Sequence, residues 1–149
     1  MEARDLEDLL RNIWQSMLLP EEPLEEGAAR QEYDFASCVD IVGPWNGVVS
    51  VECDEALARA FARSLFASGE AELGEGELFD ALREVANLIG GNVKGALAGG
   101  CRLSLPRATR GAEALLLDGG QALVCESSFW SSGRGLRVRV LAEPEGQAV

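Results

Sequence analysis

Histidine is absent from the 149 residues. That removes the commonest general base, the Ser-His and Cys-His nucleophile pairs and most zinc ligand sets. Cysteine is sparse: Cys38, Cys53, Cys101 and Cys125 form no C-x-x-C pair. With no secretory signal beside them, reduced and mostly buried thiols are expected rather than a disulfide framework. Positive charge is also scarce, with 13 basic against 25 acidic residues and a net charge of −12. Such a surface repels phosphate backbones and anionic lipids, so neither nucleic acid nor membrane is an expected partner. The longest uncharged stretch, residues 41–51, is too short to cross a bilayer, and the opening Met1-Glu2-Ala3-Arg4-Asp5 lacks the basic and apolar regions of a signal peptide. A cytoplasmic location is the expectation.

What remains is an ordinary globular composition, 47% hydrophobic and 26% charged, in a chain of one-domain size. Residues 1–142 are read as that domain and 143–149 as a flexible tail. Over residues 5–19, Leu6, Leu9, Leu10, Ile13, Trp14, Met17 and Leu18 recur at three- and four-residue spacing, which predicts an amphipathic helix ending before Pro20. Residues 21–31 are rich in acids, with Pro23 and Gly27, and read as a solvated connection or an acidic docking loop. Residues 35–42 and 47–53 are apolar and β-branched around Gly43-Pro44-Trp45-Asn46, an antiparallel hairpin. Asp54 is placed as the N-cap of a helix over 55–67 whose inward face is Leu57, Ala60, Phe61, Ser64 and Leu65. Residues 68–76 break that pattern.

A longer helix is predicted over 77–98, followed by short strands at 101–105, 114–117, 121–128 and 136–141. A loose connection is expected at 131–135. Consecutive strands without intervening helices argue for an antiparallel sheet with the two long helices packed on one face, an α+β fold.

On the 77–98 helix, Leu78, Leu82, Val85, Ile89, Val93 and Ala96 share the side assigned to the core. The opposite side carries a narrow polar stripe of Asp80, Glu84, Asn87, Gly91 and Lys94. Glu84 and Asn87 are three residues apart and point the same way. Gly90 and Gly91 each cost about 1 kcal/mol against alanine within a helix. Either they leave clearance for a partner or they mark a kink or close packing. Taken alone, Glu84-x-x-Asn87 also fits a merely solvated helix face.

In this setting the sequence resembles the CheC/CheX family of chemotaxis phosphatases. The resemblance rests on Asp80, Glu84, Asn87 and Pro106, within Phe79-Asp-Ala-Leu-Arg-Glu-Val-Ala-Asn-Leu-Ile-Gly-Gly-Asn92, and on the order of elements over residues 1–142. A single motif is similar to the one-site CheX branch rather than the two-site CheC branch. The resemblance implies hydrolysis of the phosphoaspartate of a CheY-like response regulator. Asn87 would orient the attacking water and Glu84 would engage the regulator's lysine, with Gly91 in the docking surface and Asp80 either extending that surface or simply solvating the helix. It implies no metal or cofactor in this chain, Mg2+ being brought by the regulator, and a homodimer through the sheet. Asn92 is read as structural and Pro106 as ending a strand. The competing expectations are a non-catalytic module of the same fold that binds a regulator or flagellar-switch component, and a scaffold subunit.

Overall fold

A computed structural model describes residues 1–66, 73–97, 99–111 and 120–144. The chain begins with α1, Ala3–Ile13, whose apolar face buries Leu6, Leu10 and Ile13. The expected helix over 5–19 continues, but as a π-helical turn over Trp14–Leu18. Its wider spacing lets the Leu19 N–H donate to the Trp14 carbonyl at 3.0 Å. Trp14, Leu18 and Leu19 are all buried as a result, and the Trp14 indole Nε1 donates to the Glu22 carbonyl at 2.9 Å.

The acidic connection is not wholly irregular, since Glu25–Glu26 forms a two-residue strand, β1, against the sheet edge. The hairpin forms as its sequence predicts, β2 at Phe35–Val42 and β3 at Gly47–Cys53. Gly43 has φ +151° and Asn46 closes the turn, its Oδ1 accepting from Gly43 N and its Nδ2 donating to Gly43 O. Two helices follow, α2 at Glu55–Phe66 and α3 at Glu75–Gly95. The remaining strands are β4 (Arg102–Leu103), β5 (Arg107–Arg110), β6 (Ala122–Ser131) and β7 (Arg134–Ala142). They build one antiparallel sheet in the order β1-β6-β7-β3-β2-β4, with β5 also paired to β2.

One face of the sheet meets all three helices. Phe35, Val39, Ile41, Val49, Val51, Cys53, Phe129, Leu136, Val138 and Val140 join the buried helix residues in a single apolar core. This is the α+β arrangement expected. Alternate residues supply the other face, where Glu52 is 1% exposed and accepts from Arg137 Nε and Arg139 Nη2, both at 2.9 Å. None of the four cysteines is in a disulfide, as expected, and Cys38, Cys53 and Cys125 are buried. Burial pushes all three thiols above their ordinary range, which keeps them neutral. Among the described residues, no helix is long and apolar enough to cross a membrane.

Several local expectations are corrected. Asp54 holds the N-cap position of α2, its carbonyl accepting from Ala58 N at 3.0 Å, but its carboxylate accepts from Gly135 N at 2.7 Å and Arg30 Nε at 3.0 Å, while Asp34 accepts from Glu55 N. On α2 the buried set is Leu57, Ala58, Ala60, Phe61 and Ala62, and Ser64 is exposed with its hydroxyl donating to the Leu18 carbonyl. Helix α3 starts at Glu75 rather than 77 because the Glu77 carboxylate accepts from Gly74 N, satisfying a donor at the helix start. Of the strand expected at 101–105 only Arg102–Leu103 forms, as β4; β5 at Arg107–Arg110 was not expected, and Pro106 precedes it instead of ending a strand. The connection expected to be loose is a tight two-residue turn, with Ser132 at φ 51° and Gly133 at φ 78°. Glu143 is tied by its N–H to the Asn46 carbonyl. The strand expected at 114–117, residue 67 of the second helix, residue 98 and the tail beyond Pro144 lie outside the described residues.

Candidate functional site

Helix α3 is held on two sides. Leu78, Leu82, Val85, Ile89 and Val93 are buried, as the periodicity predicts, together with Ala81, Ala86 and Gly90. Ala96 departs from that prediction, lying just past the helix and exposed. Phe79 packs edge-on against Phe35 of β2 with ring centroids 5.8 Å apart. The remaining face is open to solvent and carries the predicted stripe: Asp80, Glu84 and Asn87 are exposed, and Gly91 and Lys94 are half-buried.

Glu84 and Asn87 therefore stand one turn apart on a helix of 21 residues anchored along its length. Among the described residues neither side chain takes part in a hydrogen bond or ion pair. Asp80 differs, since Arg83 Nη2 donates to its Oδ1 and the two form an ion pair along the helix. Asn92 donates from Nδ2 to the Leu88 carbonyl at 2.8 Å, consistent with a structural role. A carboxylate and a carboxamide without partners among the described residues are available to bond to something else.

The two glycines have different surroundings. A Cβ at Gly90 would lie 2.4 Å from Val39 Cγ1, so the helix needs a glycine there to rest on β2. At Gly91 the nearest atom would be Leu103 Cδ1 at 4.0 Å, so an added methyl would fit. Close packing accounts for the first glycine, and an uncrowded backbone beside Asn87 describes the second.

Sequence reasoning missed the residues bordering this stripe. Arg83 is half-buried beside Glu84, and the acid–base spacing of Asp80 and Arg83 was a signal that could have found it. Leu103 touches the helix near Gly90 and Gly91, and Leu105 is 87% exposed in the segment joining β4 to β5. No pattern in the sequence announced either leucine. A cavity of about 830 Å³ lies elsewhere, between the start of α1, β1 and β6, and its lining includes Arg4, Glu7, Glu26 and Glu126 but nothing from α3. No group of three or more His, Cys, Asp or Glu among the described residues could hold a metal ion.

Fold and site together define a protein that offers a polar pair on an open helix face, a geometry suited to reaching into another macromolecule rather than enclosing a small substrate. The chain belongs to the chemotaxis phosphatase CheX family, whose model matches residues 35–127 and so runs from the start of β2 into β6 and takes in all of α3. No match to the sequence is found among curated proteins. Solved structures share the fold. The chemotaxis protein CheX from Vibrio vulnificus has a TM-score of 0.73 at 20% identity, covering 94% of this chain and 95% of that one. CheX from Desulfovibrio desulfuricans has a TM-score of 0.73 at 18% identity, covering 95% and 98%. A CheX-CheY-BeF3-Mg2+ complex from Borrelia burgdorferi has a TM-score of 0.71 at 18% identity, covering 94% and 96%.

Proposed function

We propose that this chain hydrolyses the phosphoaspartate of a CheY-like response regulator, with Asn87 orienting the attacking water and Glu84 docking the regulator's lysine. An acyl phosphate is already reactive and its carboxylate is a good leaving group. The reaction therefore needs little acid or base assistance, which suits a chain without histidine. The water oxygen bonds to phosphorus as the bond to the aspartyl oxygen breaks. The aspartate carboxylate leaves with the electron pair, and the water's proton ends on phosphate or solvent. The Asn87 carboxamide can accept from the water through its oxygen and donate through its nitrogen, so it can hold that water in line without changing its own protonation. Glu84, one turn away, supplies the negative charge that a lysine would seek. Mg2+ comes with the regulator, and its role there is to neutralise charge on the phosphoryl oxygens. The presence of CheY and Mg2+ in the Borrelia complex supports both partner assignments.

One observation carries the reading: Glu84 and Asn87 are exposed side by side on a firmly packed helix, with neither side chain engaged by another among the described residues. The test is the decay rate of phosphorylated CheY-like regulators from the same organism, with wild type and with Asn87→Ala. Wild type is expected to speed decay, and Asn87→Ala to lose about a hundredfold of that effect while still binding, since misplacing the water alone costs this much. Binding without any acceleration by wild type would identify a regulator-binding module instead.

A further inference from the structure

The segment between β4 and β5 is a bulge. Leu103 pairs with Ile41 and Arg107 with Cys38, so Ser104, Leu105 and Pro106 oppose only Val39 and Asp40 of β2. Asp40 clamps both sides of the extra residue. Its backbone N donates to Ser104 Oγ and its carbonyl accepts from Ser104 N, each at 2.9 Å. Its carboxylate takes two bonds from Arg107, at 3.1 and 3.2 Å. Ser104 is thereby drawn onto the sheet, and Leu105 is pushed outward from a fixed base.

The bulge also has a definite place beside α3. Leu103 sits against Gly90 at one end, and at the other Arg110 Nη2 donates to Glu75 at 2.9 Å, so this edge runs antiparallel to the helix. The step from Leu103 to Arg110, which opposes six residues of β2, spans about 20 Å at the rise of a strand, and the step from Gly90 to Glu75 about 23 Å at the rise of a helix. Leu105, about 7 Å along the edge from Leu103, therefore comes abreast of the turn that carries Glu84 and Asn87. A lone exposed leucine needs no explanation. This one is the most exposed large hydrophobic among the described residues, its base is fixed by Asp40, and the rise along the edge brings it level with the turn of the acid–amide pair.

We infer that Leu105 is an apolar docking contact for the response regulator, seated on an apolar patch next to the regulator's phosphoaspartate and deciding which regulators are accepted. The inference rests on the proposed phosphatase reading. Burying the side chain would add affinity to both ground and transition states, so it would act on KM rather than on kcat.

The experiment measures steady-state dephosphorylation of CheY-like regulators phosphorylated with acetyl phosphate and Mg2+, using wild type, Leu105→Asp, Leu105→Met and the control Leu123→Asp. Leu123 is 54% exposed on β6, away from α3, and its variant matches the charge change. Leu105→Asp is expected to raise KM by about tenfold or more with kcat little changed, Leu105→Met to restore KM, and Leu123→Asp to behave as wild type. A Leu105→Asp enzyme with wild-type KM overturns the inference. Should wild type fail to accelerate decay, the phosphatase reading fails first, and titration with beryllofluoride-loaded regulator then decides the docking role. Weaker binding of Leu105→Asp there supports it, whereas equal binding, or none by wild type, overturns it.

Discussion

Glu52 and Glu84 are the same side chain put to opposite uses. Glu52, on the sheet face away from the helices, is 1% exposed and held by Arg137 and Arg139 at 2.7 to 2.9 Å. Glu84 stands in solvent on α3 with no partner among the described residues. Taking a carboxylate out of water is costly, and at Glu52 two converging guanidinium groups offset that cost. A carboxylate without a partner among the described residues is instead available to a visitor. Partnership, more than residue type, separates the structural acid from the one proposed to dock a regulator.

The largest effect expected from breaking this contrast is on stability. Glu52→Ala should destabilise by about 3 kcal/mol, because two confined arginines lose their counter-charge. Glu84→Ala should change stability by less than about 0.5 kcal/mol. Urea unfolding of the two variants checks both, and equal losses would erase the distinction. The neighbouring glycines give a second pairing. Gly90→Ala would press a methyl onto Val39 and should cost about 1–3 kcal/mol in the same measurement.

Smaller and purely functional is the expected loss in kcat/KM for Glu84→Ala, about tenfold, with regulator binding weakened in parallel. Normal values for both would remove Glu84 from the site. The smallest effect belongs to Gly91→Ala. A methyl fits there, so helix stability should rise by about 0.5–1 kcal/mol. If the open backbone beside Asn87 serves docking, affinity for the regulator should fall at the same time, and unchanged affinity would leave Gly91 without a docking role.

The legible parts of this molecule are those whose information is local. The β2–β3 hairpin follows from two apolar runs around an Asn-Gly turn, and the buried side of α3 from a plain helical period. Strand β1 was hidden because two exposed glutamates owe their extended shape to Trp130 and Phe129 across the sheet. Strand β5, Arg-Ala-Thr-Arg, shows no apolar alternation and exists by pairing with β2. At the site, the spacing of Glu84 and Asn87 put them on one face. The differing roles of Gly90 and Gly91 depend on Val39, some fifty residues away in sequence, and so had no local signal. Leu105 was equally out of reach, since its bulge is set by Asp40 from β2.

The central claim is that Asn87 steers water onto the phosphorus atom of another protein's acyl phosphate. Catalysed dephosphorylation of the regulator in isotopically labelled water tests it most directly. The account predicts faster phosphate release with wild type and the heavy oxygen in the phosphate. Label in the regulator's aspartate carboxylate, or a phosphoaspartate lifetime unchanged in the bound complex, would contradict it.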